Sequence, residues 1–320
     1  MSLNTVGRIW DSMIGTKELR ILSALDSPKD RQELSAELEY QDATVSEAFG
    51  SLEPLGLITR ERVGTRSIAK PSNARCVELF QSLTTSNPHI DFPDLLTPSL
   101  LNVLYYLSSE DPWTATELAE RTGHSRATIY RNLRVLTNRA MATKEHSQYR
   151  VREEFEELHT FAYELRHHLH RVTIKRAVGS GTIVWESHTE FLVRTDTTIE
   201  DSNYHRTGLD AFVEYGLQFF TTSEQYYFYS KERESLAPED LVCHLLLIEN
   251  DSRHRKYALL LVVKEELPDD YLQDSASYYG IEDIVMELVE FLRTEGEIAS
   301  DDTPQWEEFE TLASEYEVDL

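Results

Sequence analysis

The sequence predicts an α+β protein. A duplicated helical unit ending in a β-ribbon comes first, a long linking helix follows, and a mixed α/β domain closes the chain. Three observations lead there. Shifting the sequence by 84 positions superimposes two segments of its first half: Glu33-Leu34 on Glu117-Leu118, Ala43-Thr44-Val45 on Ala127-Thr128-Ile129, Phe49 on Leu133, Leu52 on Leu136, and Thr59-Arg60-Glu61 on Thr143-Lys144-Glu145. From Glu153 to Val178 there is neither Pro nor Gly, and Phe155, Leu158, Ala162, Leu165 and Leu169 recur at helical spacing. Beyond Gly179 and Gly181 the pattern changes to short extended runs among helical ones.

Each copy of the repeat reads as three helices and a ribbon. In the second copy Leu100, Leu101, Leu104 and Leu107 form a helical apolar stripe, and Leu104 and Leu107 match Leu22 and Leu25 of the first after two extra residues. Asp111-Pro112 breaks the chain, Thr114 opens a helix over Ala115 to Arg121, and Gly123 ends it. Ser125 is a favourable N-cap for the third helix, whose Ile129, Leu133 and Leu136 make one inward face. Met141 to Glu145 and Gln148 to Arg152 pair around His146-Ser147. The first copy repeats this plan, with Val45, Phe49 and Leu52 inward and Gly64-Thr65 at the tip between Ile58 to Val63 and Arg66 to Ala69.

The stretch TELAERTGHSRATIYRNLRVL, Thr116 to Leu136, resembles the winged helix-turn-helix domains of regulators of the ArsR and MarR type. The resemblance covers roughly the first half of the chain and implies two tandem winged helix-turn-helix domains, 14–75 and 94–152. It further implies a sequence-specific transcriptional regulator of double-stranded DNA, with the third helix in the major groove and the wing on phosphates. The remaining expected divisions are a linking or dimerisation helix at 153–178, a C-terminal α/β effector or interaction domain at 179–300, and an acidic tail at 301–320.

With the inward faces assigned, the outward positions of the two third helices differ in charge. The second copy presents Arg126, Tyr130, Arg131 and Arg134 where the first has Asp42, Ser46, Glu47 and Gly50. Arginine reads guanine bidentately and contacts phosphate, whereas carboxylates there would be repelled. Candidate DNA contacts are therefore Arg126, Tyr130, Arg131 and Arg134 on bases and nearby phosphates, Ser125 and Thr128 on phosphates, and Lys144, Arg150 and Arg152 on the wing. In the first copy only the wing, with Arg60, Arg62 and Arg66, is a candidate. The competing reading makes this copy a protein-interaction or dimerisation module.

A net charge of −26 argues against a polyanionic partner, but the charge is unevenly placed. Up to Val178 there are 22 Lys and Arg against 24 Asp and Glu; beyond it there are 9 against 33. Twenty-three of the 31 basic residues are Arg, a bias that with the abundant acids looks like the proteomes of salt-loving archaea. No run is long and apolar enough for a membrane span and no signal peptide is evident, so a cytoplasmic location is expected. Cys76 and Cys243 match neither a disulfide framework nor a zinc site, and His167, His168 and His170 diverge around a helix, so neither metal nor cofactor is expected.

The C-terminal half leaves alternatives. Thr207 to Ser230 loosely resembles the C-terminal domain of AbiEi-type antitoxins, which implies a self-repressing antitoxin beside a nucleotidyltransferase toxin. Otherwise the domain senses a small molecule, with Trp185 and Tyr226 to Tyr229 lining a pocket, or forms a homodimer. Tyr257 to Val263 fits a buried strand or a buried helix, and Ile281 to Arg293 is an amphipathic helix. An enzyme is not expected: P-loop, HExxH, GxSxG and GxGxxG are absent, and the nucleotidyltransferase-like Gly179-Ser180-Gly181 with Glu190 has Leu192 where a second carboxylate is required. The class opposed to a regulator is a winged-helix adaptor that binds polypeptide.

Overall fold

The computed structural model describes residues 14–64, 66–220, 223–298 and 303–320. It divides into two compact units between Val172 and Thr173. In the first unit, the first copy comprises α1 (Thr16–Ala24), β1 (Lys29–Asp30), α2 (Arg31–Glu37), α3 (Asp42–Leu52), β2 (Ile58–Val63) and β3 (Arg66–Pro71). Helices α4 (Arg75–Ser86) and α5 (Phe92–Leu95) lead to the second copy: α6 (Pro98–Tyr106), β4 (Trp113–Thr114), α7 (Ala115–Thr122), α8 (Arg126–Asn138), β5 (Ala142–Glu145) and β6 (Gln148–Val151). Helix α9 (Glu157–Val178) follows.

Equivalent residues do equivalent work in the two copies. Asp30 caps α2 by accepting from the amides of Gln32 and Glu33, and Thr114 caps α7 by accepting from that of Glu117. Glu33 and Glu117 reach back to the amides of Asp30 and Thr114, both at 2.7 Å, completing a capping box at the same place. The strands ahead of these caps, β1 and β4, join the ribbons, giving three-stranded antiparallel sheets in the orders β1-β3-β2 and β4-β6-β5. Periodicity does not reveal them, because two residues show no alternation. The second wing is shorter, with strands of 4 residues against 6 in the first. The first wing's tip at Thr65 lies outside the described residues.

Both copies share one hydrophobic core. Leu19, Leu34, Val45 and Phe49 of the first and Leu104, Leu118, Ile129 and Leu133 of the second are buried in the same cluster as Leu158, Phe161, Ala162 and Leu165 of α9. Two histidines of α9 tie the copies to it. His159 Nδ1 meets the Leu104 carbonyl at 2.9 Å, and His168 Nε2 donates to the Leu55 carbonyl at 2.8 Å. The apolar stripe expected to pair with a twin helix is thus spent within the chain, and a homodimer would have to form through another surface. The histidine trio is likewise dispersed, His167 stacking on Tyr163 with ring centroids 6.3 Å apart.

The second unit holds a four-stranded antiparallel sheet in the order β7-β8-β10-β9, from β7 (Thr182–Glu186), β8 (Phe191–Thr195), β9 (Tyr204–Thr207) and β10 (Gln225–Tyr229). Leu192 and Phe228 on one face meet the helices α10 (Pro238–Ile248), α11 (Ser252–Lys264), α12 (Asp269–Tyr279), α13 (Glu282–Arg293) and α14 (Trp306–Glu315). Phe191, Val193 and Tyr227 on the other face cluster with Ile174. Gly181 sits where a Cβ would lie 2.8 Å from Val193 and 2.9 Å from Ile174, so close approach, beyond any hinge role, requires glycine there. The ambiguous run Tyr257 to Val263 is helical, within α11.

The acidic tail is part of the packed unit. Its helix α14 buries Phe309 and Ala313 beside Phe291, because the acids fall on the outward face of an amphipathic helix. The aromatic residues that one reading of the sequence places around a pocket are mostly core: Trp185 donates to the Tyr279 carbonyl at 3.1 Å and stacks on Phe228, and Tyr229 stacks on Phe191. His244 is fully buried against Phe228, its Nδ1 2.9 Å from the Thr207 hydroxyl, and burial pushes its pKa down to about 3.

Phe309→Ala should destabilise the C-terminal unit by about 3 to 5 kcal/mol in denaturant melts, whereas exposed Glu310→Ala should stay within about 0.5 kcal/mol. The neutral His244 makes acid unfavourable: the unfolded chain takes up a proton near the ordinary histidine pKa while the folded one resists until about 3. Stability present above pH ~6.5 is therefore lost as pH falls toward ~3, by at most about 1.4 kcal/mol per pH unit from this group. His244→Gln should flatten that part of the pH–stability curve.

Candidate nucleic-acid interface

Helix α8 presents the candidate site. It begins after Gly123, which ends α7 in the left-handed region at φ +67°, and Ser125 caps it by accepting from the Thr128 amide at 3.3 Å. Ile129, Asn132, Leu133 and Leu136 face inward, Asn132 Nδ2 donating to Ser99 Oγ at 3.1 Å. That anchoring leaves Arg126, Tyr130, Arg131 and Arg134 exposed on an arc of about 140°. Among the described residues, none of these three guanidinium groups is in an ion pair. Arg139, just past the helix, shares this state and was missed as a candidate; its place at the end of the basic run was the available signal.

The other candidates are more occupied. The Ser125 and Thr128 hydroxyls are 3.1 Å apart and serve the cap, so any phosphate would share them with the helix terminus. On the wing, Lys144 is exposed with its ammonium 5.2 Å from the Tyr149 ring centroid. Arg150 pairs with Glu145 at 2.9 Å and Arg152 with Glu154 at 3.2 Å. These are surface pairs of small net worth, about 0 to 1 kcal/mol, which a phosphate can replace.

In the first copy the cations are used internally. Arg60 is bonded to Glu53, Arg66 reaches the α2-capping Asp30 at 3.0 Å, and Lys70 pairs with Glu61. On its third helix, Asp42 pairs with Arg31 at 3.2 Å and Glu47 with Lys17 at 3.4 Å. Of its three candidates only Arg62 makes no ion pair among the described residues. The first copy therefore offers an acid-bearing third helix and a largely neutralised wing, on the same scaffold that in the second copy carries bare arginines.

The C-terminal unit holds a cavity of about 160 Å³ lined by residues including Thr207, Gly208, Tyr226, Leu245 and Glu249. Tyr226 is the only member of the expected aromatic set among its lining residues. Glu190, the carboxylate of the nucleotidyltransferase echo, accepts from Arg233 at 3.3 Å and from the Tyr278 hydroxyl, and Arg233 also binds Asp240 at 2.8 Å. This carboxylate is committed to the fold. Burial pushes the Cys76 thiol up to about 12 and raises that of Cys243, so both stay as neutral small hydrophobes.

Comparison with known proteins agrees with this geometry. A family described as a helix-turn-helix domain matches residues 95–140, from the end of α5 through α8. A C-terminal domain family named HVO_2833_C matches residues 201–318, which take in α14 as part of the domain. No curated protein and no solved structure matches the chain. Among the described residues no helix is long and apolar enough to cross a membrane. The second copy is thus a helix-turn-helix domain of the kind that DNA-binding transcription regulators carry.

Proposed function

We propose that the chain is a sequence-specific regulator that reads double-stranded DNA through α8 and the second wing alone. The observation that carries this reading is the set of exposed arginines on one arc of α8, without a carboxylate partner among the described residues in a protein with almost twice as many acids as bases. Unpaired cations clustered on one face are the arrangement that attracts a polyanion and releases its counterions. Arg126, Arg131 and Arg134 take base edges and phosphates, Tyr130 packs on the groove wall, and Lys144, Arg150 and Arg152 follow the backbone.

The first copy acts as a structural partner within the shared core, and among its described candidates Arg62 makes no ion pair. The C-terminal unit is a regulatory domain, and its Thr207–Tyr226 cavity is the place for an effector. Its acidity, with the arginine bias, is the solvation habit of a halophilic archaeal protein. The reading includes no catalytic step.

Replacing Arg126, Arg131 and Arg134 with Glu together should abolish duplex binding in a salt titration while leaving the fold intact by circular dichroism. Each single change to Ala should cost about 1 to 3 kcal/mol of affinity, against a few tenths for Arg62→Ala. In chromatin immunoprecipitation the wild-type chain should give discrete promoter peaks that the triple variant lacks. Peaks or protein-partner binding that survive the triple variant would favour the adaptor reading instead.

A further inference from the structure

Asn102 is a polar residue in the middle of the apolar face of α6, 6% exposed among Leu101, Val103 and Leu104. A buried amide has to place its donors and its acceptor, and here the placement is dictated. Arg166 of α9 directs Nη2 at Asn102 Oδ1, 3.2 Å away. A guanidinium only donates, so the oxygen of the amide faces Arg166 and its nitrogen faces the other way. That nitrogen meets His124 Nε2 at 3.2 Å. Since Nδ2 donates, Nε2 has to accept, and His124 is neutral with its proton on Nδ1.

His124 occupies the turn between the two helices of the DNA-reading motif, directly after Gly123 and directly before the Ser125 cap and Arg126. Its amide donates to Thr122 Oγ1 at 3.4 Å. We propose, building on the DNA-binding reading, that Arg166, Asn102 and His124 form a positioning relay from α9 to this turn, and that protonation of His124 breaks it and weakens DNA binding. A protonated ring would set Nε2–H against the NH₂ of the buried Asn102, donor against donor.

The surroundings favour the neutral ring. Arg166 stands behind Asn102, Thr122 is uncharged, and among the described residues no carboxylate forms an ion pair with His124. Burial also lowers its pKa from the ordinary histidine value. The sign of the effect is diagnostic. A histidine that gains charge on a DNA-facing surface tightens binding as pH falls; His124 acts in the opposite direction.

The test uses full-length wild type, His124→Gln and Asn102→Asp, with the duplex that the wild-type chain enriches from a randomised pool. Affinity is read by fluorescence anisotropy at about pH 7.5 and about pH 5.5. Wild type should lose about tenfold in affinity on acidification relative to His124→Gln, which keeps an acceptor facing Asn102 but does not titrate. Asn102→Asp should reverse the sign, because the new carboxylate accepts from both Arg166 and the protonated ring. Circular dichroism at both pH values establishes that all three chains are folded. A common pH response in the three chains overturns the relay and leaves the DNA reading standing. Failure of the wild-type chain to enrich any duplex overturns the DNA reading and the relay with it.

Discussion

Helix α9 takes apolar side chains from both winged helices into one core, and the geometry of the first unit follows from that sharing. Leu158, Phe161, Ala162 and Leu165 are buried there, each at a worth of roughly 1.5 to 3 kcal/mol for the larger side chains, and His159 and His168 add a directional bond to each copy. Two small domains of about 60 residues, each marginal by itself, become one larger body with a better ratio of core to surface. The two third helices are therefore presented by a single packed scaffold.

Within that scaffold the two copies differ in electrostatics while sharing their cap and core arrangement. The capping boxes at Asp30 and Thr114 and the inward faces of α3 and α8 are equivalent, so the backbone plan tolerates either surface. What separates them is whether cations find carboxylates. In the first copy Arg31, Arg60, Arg66 and Lys70 do, and the copy is self-contained. In the second, Arg126, Arg131 and Arg134 look outward, a condition suited to a polyanion. Asn102 is a polar joint connecting the helix that organises the core with the turn that sets the start of α8.

The C-terminal unit solves a different problem, burying enough surface under a strongly acidic composition. It does so by keeping most acids on outward faces and by pairing the buried Asp240 and Glu190. Arg233 satisfies both Asp240 and Glu190 while its guanidinium lies 5.3 Å from the Phe228 ring centroid, and Tyr278 and Tyr279 complete the two carboxylates. Charge that looks like an active-site remnant in the sequence is thereby a structural tie.

Repeat register, helix periodicity and charge asymmetry were legible in the sequence because each is local: the match at an offset of 84 positions, the stripe on α9 and the arginine arc of α8 need only spacing and residue type. Those signals were enough to outline two helix-and-ribbon units and to place the helix-turn-helix match on the second. Partner choice was not legible, because it depends on residues distant in sequence. That Arg66 meets Asp30, that the α9 stripe packs inward, that α14 docks on Phe291, and that Asn102 joins Arg166 to His124 are decided when helices and strands close over a core. The strands β1 and β4 belong with these: two residues carry no period, and only pairing with the wing makes them strands. The sequence by itself determined which segments fold and which surface is basic; the tertiary structure decided which charges are spent and which remain, since an ion pair or a buried amide is defined by the groups that packing brings within about 3 Å of it.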